Sequence, residues 1–158
     1  MAKVTKATLV CESNISNGPL AASIIQRQLA ELGYSNAVLI SSFGAYAGAI
    51  PRPVDRRIRD LARANGLSLE DFRSQQLTPE LVLESDYLVC LTEDVFWFAK
   101  DLLAQHSGPK ISLFSEFSGN LALRSIPDPI LGQCTIQELY SLLEDVSEAF
   151  VRWLIKRI

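Results

Sequence analysis

A cysteine at the end of an apolar run opens the stretch of this sequence that is best suited to chemistry. The run closes with Val10 and Cys11, a polar loop of small residues follows, and Pro19 opens a segment with helical spacing. This pattern predicts a strand, a tight loop and a helix N-terminus, where loop amides and the first free N–H groups of the helix converge. Such a point attracts anions and pushes a cysteine toward the nucleophilic thiolate. Cys11 is therefore the candidate nucleophile of an anion-binding loop.

The predicted loop lacks a positively charged side chain. It contains neither Lys nor Arg, and Glu12 places a negative charge at its start. Anion binding would then depend on backbone N–H groups and the helix dipole alone. The residues expected to form the anion cradle are Glu12, Ser13, Asn14, Ile15, Ser16, Asn17 and Gly18.

Composition limits the classes of protein to which this chain can belong. A length of 158 residues with 48% hydrophobic residues predicts one domain, over residues 1–158, with a substantial core. The net charge of −3 provides no basic field for nucleic acid or for an anionic membrane. The N-terminal residues lead directly into the first apolar run, and no run of about 18 apolar residues occurs. We expect a soluble cytoplasmic protein that binds neither nucleic acid nor membranes.

Cysteine and histidine usage argues against metal and disulfide chemistry. Cys11, Cys90 and Cys134 are widely and irregularly spaced, and His106 is the one histidine. An odd number of cysteines without metal-ligand spacing predicts neither a disulfide framework nor a zinc site. We expect no metal and no other cofactor, and we expect Cys90 to be an inert core residue within a strand.

Strands and helices alternate along the predicted chain. Continuous apolar runs of this kind are typical of parallel strands that are covered on both faces. The expected fold is a three-layer α/β/α domain with a four-stranded parallel sheet in the flavodoxin-like order 2-1-3-4, which places Cys11 at a central carboxyl end. The predicted strands cover residues 4–11, 37–42, 86–92 and 110–117, the predicted helices cover residues 20–33, 54–65, 93–105 and 135–158 with a short helix from 79, and long loops cover residues 43–53 and 118–134.

Several motifs together resemble the low-molecular-weight protein tyrosine phosphatases. The loop of that family has a cysteine, five residues, an arginine, a serine and a proline, and Cys11, Asn14, Ile15 and Pro19 match it. The resemblance continues in the family's order and spacing through residues 53–55, 73–80, 86–89, 93–94 and 126–129, and so covers nearly the whole chain. It implies the fold expected above and a phosphatase loop at Cys11.

The resemblance also implies roles for individual residues. In that family the cysteine attacks phosphorus, loop amides and the arginine hold the phosphate, and an aspartate before a proline serves as general acid and base. By this resemblance Cys11 matches the nucleophile, Asp128 matches the acid and base, and Asn14 matches an asparagine that shapes the loop. Phosphate or a phosphotyrosine protein is the partner that the resemblance implies.

Other positions depart from the family pattern. Asn17 stands where the arginine belongs, Gly18 where the serine belongs, Ser13 where glycine is usual and Ser16 where a second cysteine is common. Neutral Asn17 cannot reproduce the two charge-assisted bonds of a guanidinium, and Gly18 supplies no hydroxyl for a thiolate. We therefore expect an inactive or strongly impaired phosphatase, a pseudophosphatase, with residual oxyanion binding.

Three other functions stay open from the sequence alone. One is an active phosphatase in which Arg52 or Arg124 replaces the missing arginine. Another is thiol redox chemistry such as arsenate reduction, which needs a second cysteine as resolving partner. The third is a protein-interaction module whose surface candidates are Phe96, Trp97 and Phe98, with Trp97 off the apolar stripe of its helix.

Overall fold

Four parallel strands form the sheet around which the chain is organised in the computed structural model, which describes residues 3–104 and 106–158. Their spatial order is β2-β1-β3-β4, and all three pairs are parallel, as the sequence predicted. The central strand β1 pairs with β2 over its whole length, from Thr5 opposite Val38 to Cys11 opposite Gly44. The strands are β1 (Thr5–Cys11), β2 (Val38–Gly44), β3 (Tyr87–Cys90) and β4 (Lys110–Leu113).

Helices cover both faces of this sheet and confirm the predicted three layers. One apolar cluster joins β1 and β2 to α1, α2 and α5, and a second joins β3 to α3 and α4. None of the helices in the described parts of the chain has the length and apolar character needed to cross a membrane. The helices are α1 (Asn17–Glu31), α2 (Arg56–Ala64), α3 (Pro79–Glu84), α4 (Glu93–Leu103) and α5 (Ile136–Ile155), with short 3₁₀ helices at Phe114–Ser118 and Pro129–Leu131.

Several element boundaries differ from the prediction by a few residues, and two of the differences have an identifiable reason. Helix α1 begins at Asn17 and not at residue 20, because a proline in the first turn of a helix loses no hydrogen bond and Pro19 is therefore tolerated there. The fourth strand ends at Leu113 and not at residue 117, because the chain turns into a 3₁₀ helix that buries Phe114 against α5. The predicted end of the third long helix at residue 105 lies outside the described residues.

Threonine caps fix the start of α3 and α4, the helices that precede and follow β3. The Thr78 hydroxyl accepts a hydrogen bond from the backbone N–H of Leu81 at 3.3 Å, which confirms the predicted cap of α3. The Thr92 hydroxyl does the same for the N–H of Val95, also at 3.3 Å. Helix α4 therefore starts immediately after β3, and its first turn lies at the carboxyl edge of the sheet.

An aromatic cluster anchors α5 on the sheet. Phe150 is fully buried, and its ring centroid lies 6.0 Å from that of Phe114 and 5.1 Å from that of Phe117. Trp153 stacks on the same ring at 6.1 Å. Aromatic pairs of this kind add to the free energy gained from burial of their surface.

We expect the Phe150→Ala variant to lose about 3–5 kcal/mol of unfolding free energy, because a buried aromatic side chain leaves a cavity. Urea unfolding followed by circular dichroism measures this loss. Trp97→Ala is the matched control, since that indole is 59% exposed. Similar losses for the two variants would contradict the placement of α5 on the core.

Candidate active site

A cavity of about 340 Å³ opens at the carboxyl edge of the sheet, between the ends of β1 and β3. Three segments form its wall: the loop after β1, the start of α4, and residues 125–133. The structure brings Cys11 and Asp128 to this one cavity, together with most of the predicted cradle, whereas Ile15 and Gly18 do not line it. The lining residues are Cys11, Glu12, Ser13, Asn14, Ser16, Asn17, Leu91, Thr92, Glu93, Asp94, Ser125, Ile126, Asp128, Leu131 and Gln133.

Asn14 holds the loop against strand β2. It adopts a left-handed conformation with φ of 62°, which asparagine tolerates better than most residues. Its side-chain Oδ1 accepts a hydrogen bond from Ser42 Oγ at 2.7 Å, and its Nδ2 donates to the Ser42 carbonyl at 3.2 Å. These contacts tie the loop after β1 to β2.

The Cys11 thiol is almost completely buried beneath the loop. The residue is 6% exposed. Its Sγ lies 3.7 Å from Asn14 Oδ1 and 3.8 Å from the Phe43 carbonyl oxygen, and either atom can accept a hydrogen bond from the thiol. Burial raises the pKa of the thiol to about 12, against the opposing effect of backbone N–H groups of Asn14 and Gly18. The charges of Glu12 and Asp128 raise it further. The thiol is therefore protonated at neutral pH.

Gly18 makes room for this buried sulfur. A Cβ atom on residue 18 would lie 2.5 Å from Cys11 Sγ and 2.7 Å from Ser42 Oγ, which is too close for either contact. The serine that the family has at this position therefore does not fit unless both side chains move. The glycine thus does more than remove a hydroxyl donor, because it leaves the space beside residue 18 that the sulfur occupies.

Asn17 binds the opposite wall of the cavity. Its Nδ2 donates to the Pro127 carbonyl at 2.8 Å, and its Oδ1 accepts from Ser16 Oγ at 3.1 Å. Both ends of the amide are therefore occupied within the protein. Asn17 connects the start of α1 to the segment before Asp128, in the place where the family has an arginine directed at phosphate.

Asp128 combines a structural role with its position in the cavity. Its Oδ1 caps the 3₁₀ helix Pro129–Leu131 by accepting from the Ile130 N–H at 2.9 Å. The same atom lies 3.4 Å from Ser16 Oγ and is the alternative acceptor for the one hydroxyl proton that also faces Asn17 Oδ1. Its backbone N–H donates to Gln133 Oε1 at 2.9 Å. The carboxylate is thus held by its own turn and lies on the cavity that contains Cys11.

The charge of the cavity wall is entirely negative. Four carboxylates line it, and the lining contains no Lys, Arg or His among residues 3–104 and 106–158; the carboxylates belong to Glu12, Glu93, Asp94 and Asp128. These four side chains do not converge as metal ligands, since no group of three potential His, Cys, Asp or Glu ligands occurs in the described chain. The wall therefore repels anions without forming a metal site.

The two arginines considered as substitutes do not line the cavity. Arg52 is exposed, and Arg124 Nε forms an ion pair with Glu93 Oε1 at 3.1 Å. A third arginine, Arg57, was not anticipated from the sequence: the Asp55 carboxylate holds its guanidinium and raises its pKa, with a smaller contribution from the charge of Asp128. No guanidinium of the described residues thus replaces the missing one inside the cavity.

Sequence reasoning missed several residues of this site. Ser42 bonds Asn14 from the next strand, and the walls include Glu93, Asp94 and Gln133. The parallel sheet carried a usable signal for the two acidic residues, because they directly follow β3 at the same edge as Cys11. By contrast Cys90, 0% exposed in β3, is the core residue that was expected.

Comparison with known proteins agrees with this geometry. The chain is 25% identical to the low molecular weight protein-tyrosine-phosphatase Etp of Escherichia coli (strain K12) over 151 residues, which cover 95% of each chain. The solved structure of YfkJ from Bacillus subtilis superposes with a TM-score of 0.91 at 18% identity, covering 99% of this chain and 98% of that chain. Drosophila arginine phosphatase superposes with a TM-score of 0.86 at 17% identity, covering 95% and 98%.

The two structural similarities show a shared fold, and the sequence provides the family. A sequence model described as low molecular weight phosphotyrosine protein phosphatase matches residues 6–158, nearly the full chain. That match includes every strand and every segment of the cavity wall but the first residue of β1. The chain belongs to the low molecular weight phosphotyrosine protein phosphatase family.

Proposed function

We propose that this chain is a catalytically inactive or strongly impaired member of its family, with a loop that keeps weak affinity for an oxyanion. The observation that carries the proposal is the Asn17 amide, which binds the Pro127 carbonyl at 2.8 Å where an arginine would grip phosphate. Phosphoryl transfer depends on positioning and on stabilising negative charge. Without a cation, the site positions the phosphoryl group and stabilises its negative charge too weakly for the reaction.

The expected loss of phosphatase rate can be estimated from comparable losses in other enzymes. Removing one well-placed neutral donor to a developing oxyanion costs about 10²–10³ in rate, and bidentate bonds from a charged donor are stronger still. The carboxylates of Glu12, Glu93 and Asp94 add repulsion against a phosphate dianion. These effects act in the same direction on the rate.

The state of the nucleophile supports the same proposal. A thiol with a pKa of about 12 is ionised in fewer than about one molecule in 10⁴ near neutral pH. Attack on phosphorus requires the thiolate, so the small ionised fraction limits the rate independently of substrate binding.

Weak anion binding is retained because the helix start remains open. Ser16 stands at the N-cap of α1 but makes no side-chain cap bond, so the first N–H groups of the helix keep their capacity to donate. We infer phosphate or a phosphotyrosine protein as the ligand of this loop and a cytoplasmic location for the chain. The relatives named protein-tyrosine-phosphatase in E. coli and B. subtilis support phosphotyrosine as the group.

A second candidate is an active phosphatase that uses a substitute cation. The electrostatic contribution of Asp128 to the raised pKa of Arg57 favours this arginine over Arg52 or Arg124. Phosphate or vanadate contacted by the Arg57 guanidinium in a crystal would support it. Thiol redox chemistry has less support, because neither Cys90 nor Cys134 lies on the cavity that contains Cys11.

We expect turnover of p-nitrophenyl phosphate at least about 10³-fold below that of a working family member assayed in parallel, because cation and thiolate are both missing. The hydrolysis is followed by p-nitrophenol absorbance. Cys11→Ser serves as the control for contaminating phosphatases. A rate typical of the family that disappears in the Cys11→Ser variant would contradict the proposal.

Asn17→Arg should raise turnover above that of the unaltered chain, since it returns a guanidinium to the cradle. The variant also loses the bond to Pro127, which contributes about 1 kcal/mol, so the recovery will be partial. Combined Asn17→Arg and Gly18→Ser should exceed the single variant, because the added side chain displaces the sulfur. An Asn17→Lys variant is the matched control for charge without the bidentate fork. Equal rates for all variants and the original chain would show that the cavity has diverged beyond these two positions.

Gly18→Ala should increase the alkylation rate of Cys11 by iodoacetamide, because the new Cβ would lie 2.5 Å from the present position of the sulfur and so displace it. Mass spectrometry of the modified peptide measures the rate at each cysteine, and buried Cys90 serves as the internal reference. Gly33→Ala, at an open helix end, is the control for a general loss of stability. Unchanged reactivity of Cys11 in a folded Gly18→Ala protein would contradict the packing described for this site.

A further inference from the structure

Exposed apolar side chains lie on the segments that line the acidic cavity or are bonded to them. Tyr46, Trp97 and Leu131 are 59%, 59% and 65% exposed, and we call these three residues the mouth surface. Leu131 lines the cavity itself, and the Tyr46 N–H donates to the Glu12 carbonyl at 2.8 Å. Trp97 lies one helical turn after Glu93 on α4, and so on the same face of that helix.

The mouth surface is held in place from below. The Tyr46 ring meets the Phe98 ring edge to face at 5.2 Å, and Trp97 meets Phe96 in the same way at 5.2 Å. Large, ordered aromatic residues beside a cavity are typical of protein interfaces. Nothing in the described chain covers Tyr46 or Trp97, so a partner can reach both.

The charge of the cavity selects the chemistry of that partner. Its four wall carboxylates attract cations, yet they do not form a group of potential metal ligands in the described residues. Spread around a cavity of about 340 Å³, they suit an organic cation on a flexible side chain better than a small ion. A guanidinium or ammonium group has this size and charge.

A guanidinium already sits at this wall within the chain. Arg124 Nε lies 3.1 Å from Glu93 Oε1, and both side chains are about half exposed. The ion pair shows that Glu93 is oriented to accept a guanidinium from the solvent side. It also implies that Arg124 competes with any cation that arrives from outside.

We propose that the mouth surface docks a basic segment of a partner protein, which places a Lys or Arg side chain in the acidic cavity and apolar side chains on Tyr46, Trp97 and Leu131. A basic segment is chosen as the occupant because its positive charge complements the four carboxylates of the cavity. The inference goes beyond the proposed loss of catalysis, and the docked side chain would compete with the proposed oxyanion because both enter the same cavity. Its failure would show in peptide binding, and failure of the proposed function would show in the p-nitrophenyl phosphate assay.

The test uses a fluorescently labelled synthetic peptide that contains two arginines and a leucine, titrated with the full chain and followed by anisotropy. A peptide with citrulline in place of both arginines is its neutral counterpart. We expect the arginine peptide to bind at least about tenfold more tightly, since each of its two charges can pair with carboxylates of the cavity wall.

Matched charge variants locate the binding. Glu93→Gln should weaken binding about threefold to tenfold, whereas Glu148→Gln, on the exposed face of α5, should not. Arg124→Ala should strengthen binding because it frees Glu93, whereas Arg152→Ala frees Glu148 with the same change in net charge and should have no effect. Trp97→Ala should weaken binding, with exposed Leu121→Ala as its control.

Four outcomes would overturn the proposal. They are equal binding of the citrulline peptide, equal effects of the Glu93 and Glu148 variants, tighter binding of a phosphotyrosine peptide of the same length, and self-association of the chain through the mouth surface. Analytical ultracentrifugation of the original chain and of Trp97→Ala measures the last of these. A selective loss of arginine-peptide binding in Glu93→Gln, with a gain in Arg124→Ala, would support it.

Discussion

The space beside the backbone of residue 18 is the constraint on which the site depends. The Cys11 sulfur fills it, at 2.5 Å from the point where a side chain of residue 18 would begin. Glycine is therefore what allows the thiol of Cys11 to lie almost fully buried in the wall of the cavity. Burial then opposes ionisation more strongly than the nearby N–H groups favour it, and the pKa of the thiol rises to about 12.

The fold around Gly18 is that of the family, whereas the charged residues of the cavity depart from the family pattern. The strand order places the loop after β1 next to the end of β3 at the carboxyl edge of the sheet, so nucleophile, acidic residue and helix start still converge. The Asn17 amide that replaces the family's arginine is used within the protein, on the Pro127 carbonyl. A fold can thus keep its architecture while the chemistry of its site changes, because packing and charge depend on different residues.

The sequence predicted the architecture more completely than the site. Continuous apolar runs predicted four parallel strands covered on both faces, and the flavodoxin-like order gave their arrangement. The 3₁₀ helix after Leu113 could not be seen, since it depends on contacts of Phe114 with the distant Phe150. Cys11 and Asp128 are far apart in the sequence, and only the family resemblance predicted that they belong to one site. The ion pair of Arg124 with Glu93 and the hydrogen bond of Ser42 to Asn14 needed three-dimensional contacts.

A thiol that is neutral under physiological conditions is the central claim, and a direct titration tests it. Carbon-13 NMR of Cβ-labelled cysteine, in a chain carrying Cys90→Ala and Cys134→Ser, reports the protonation of Cys11 alone as pH is raised. We expect its pKa near 12, with no ionisation between about pH 6 and pH 9. A midpoint below about pH 7.5, in the range of activated cysteines, would contradict the claim.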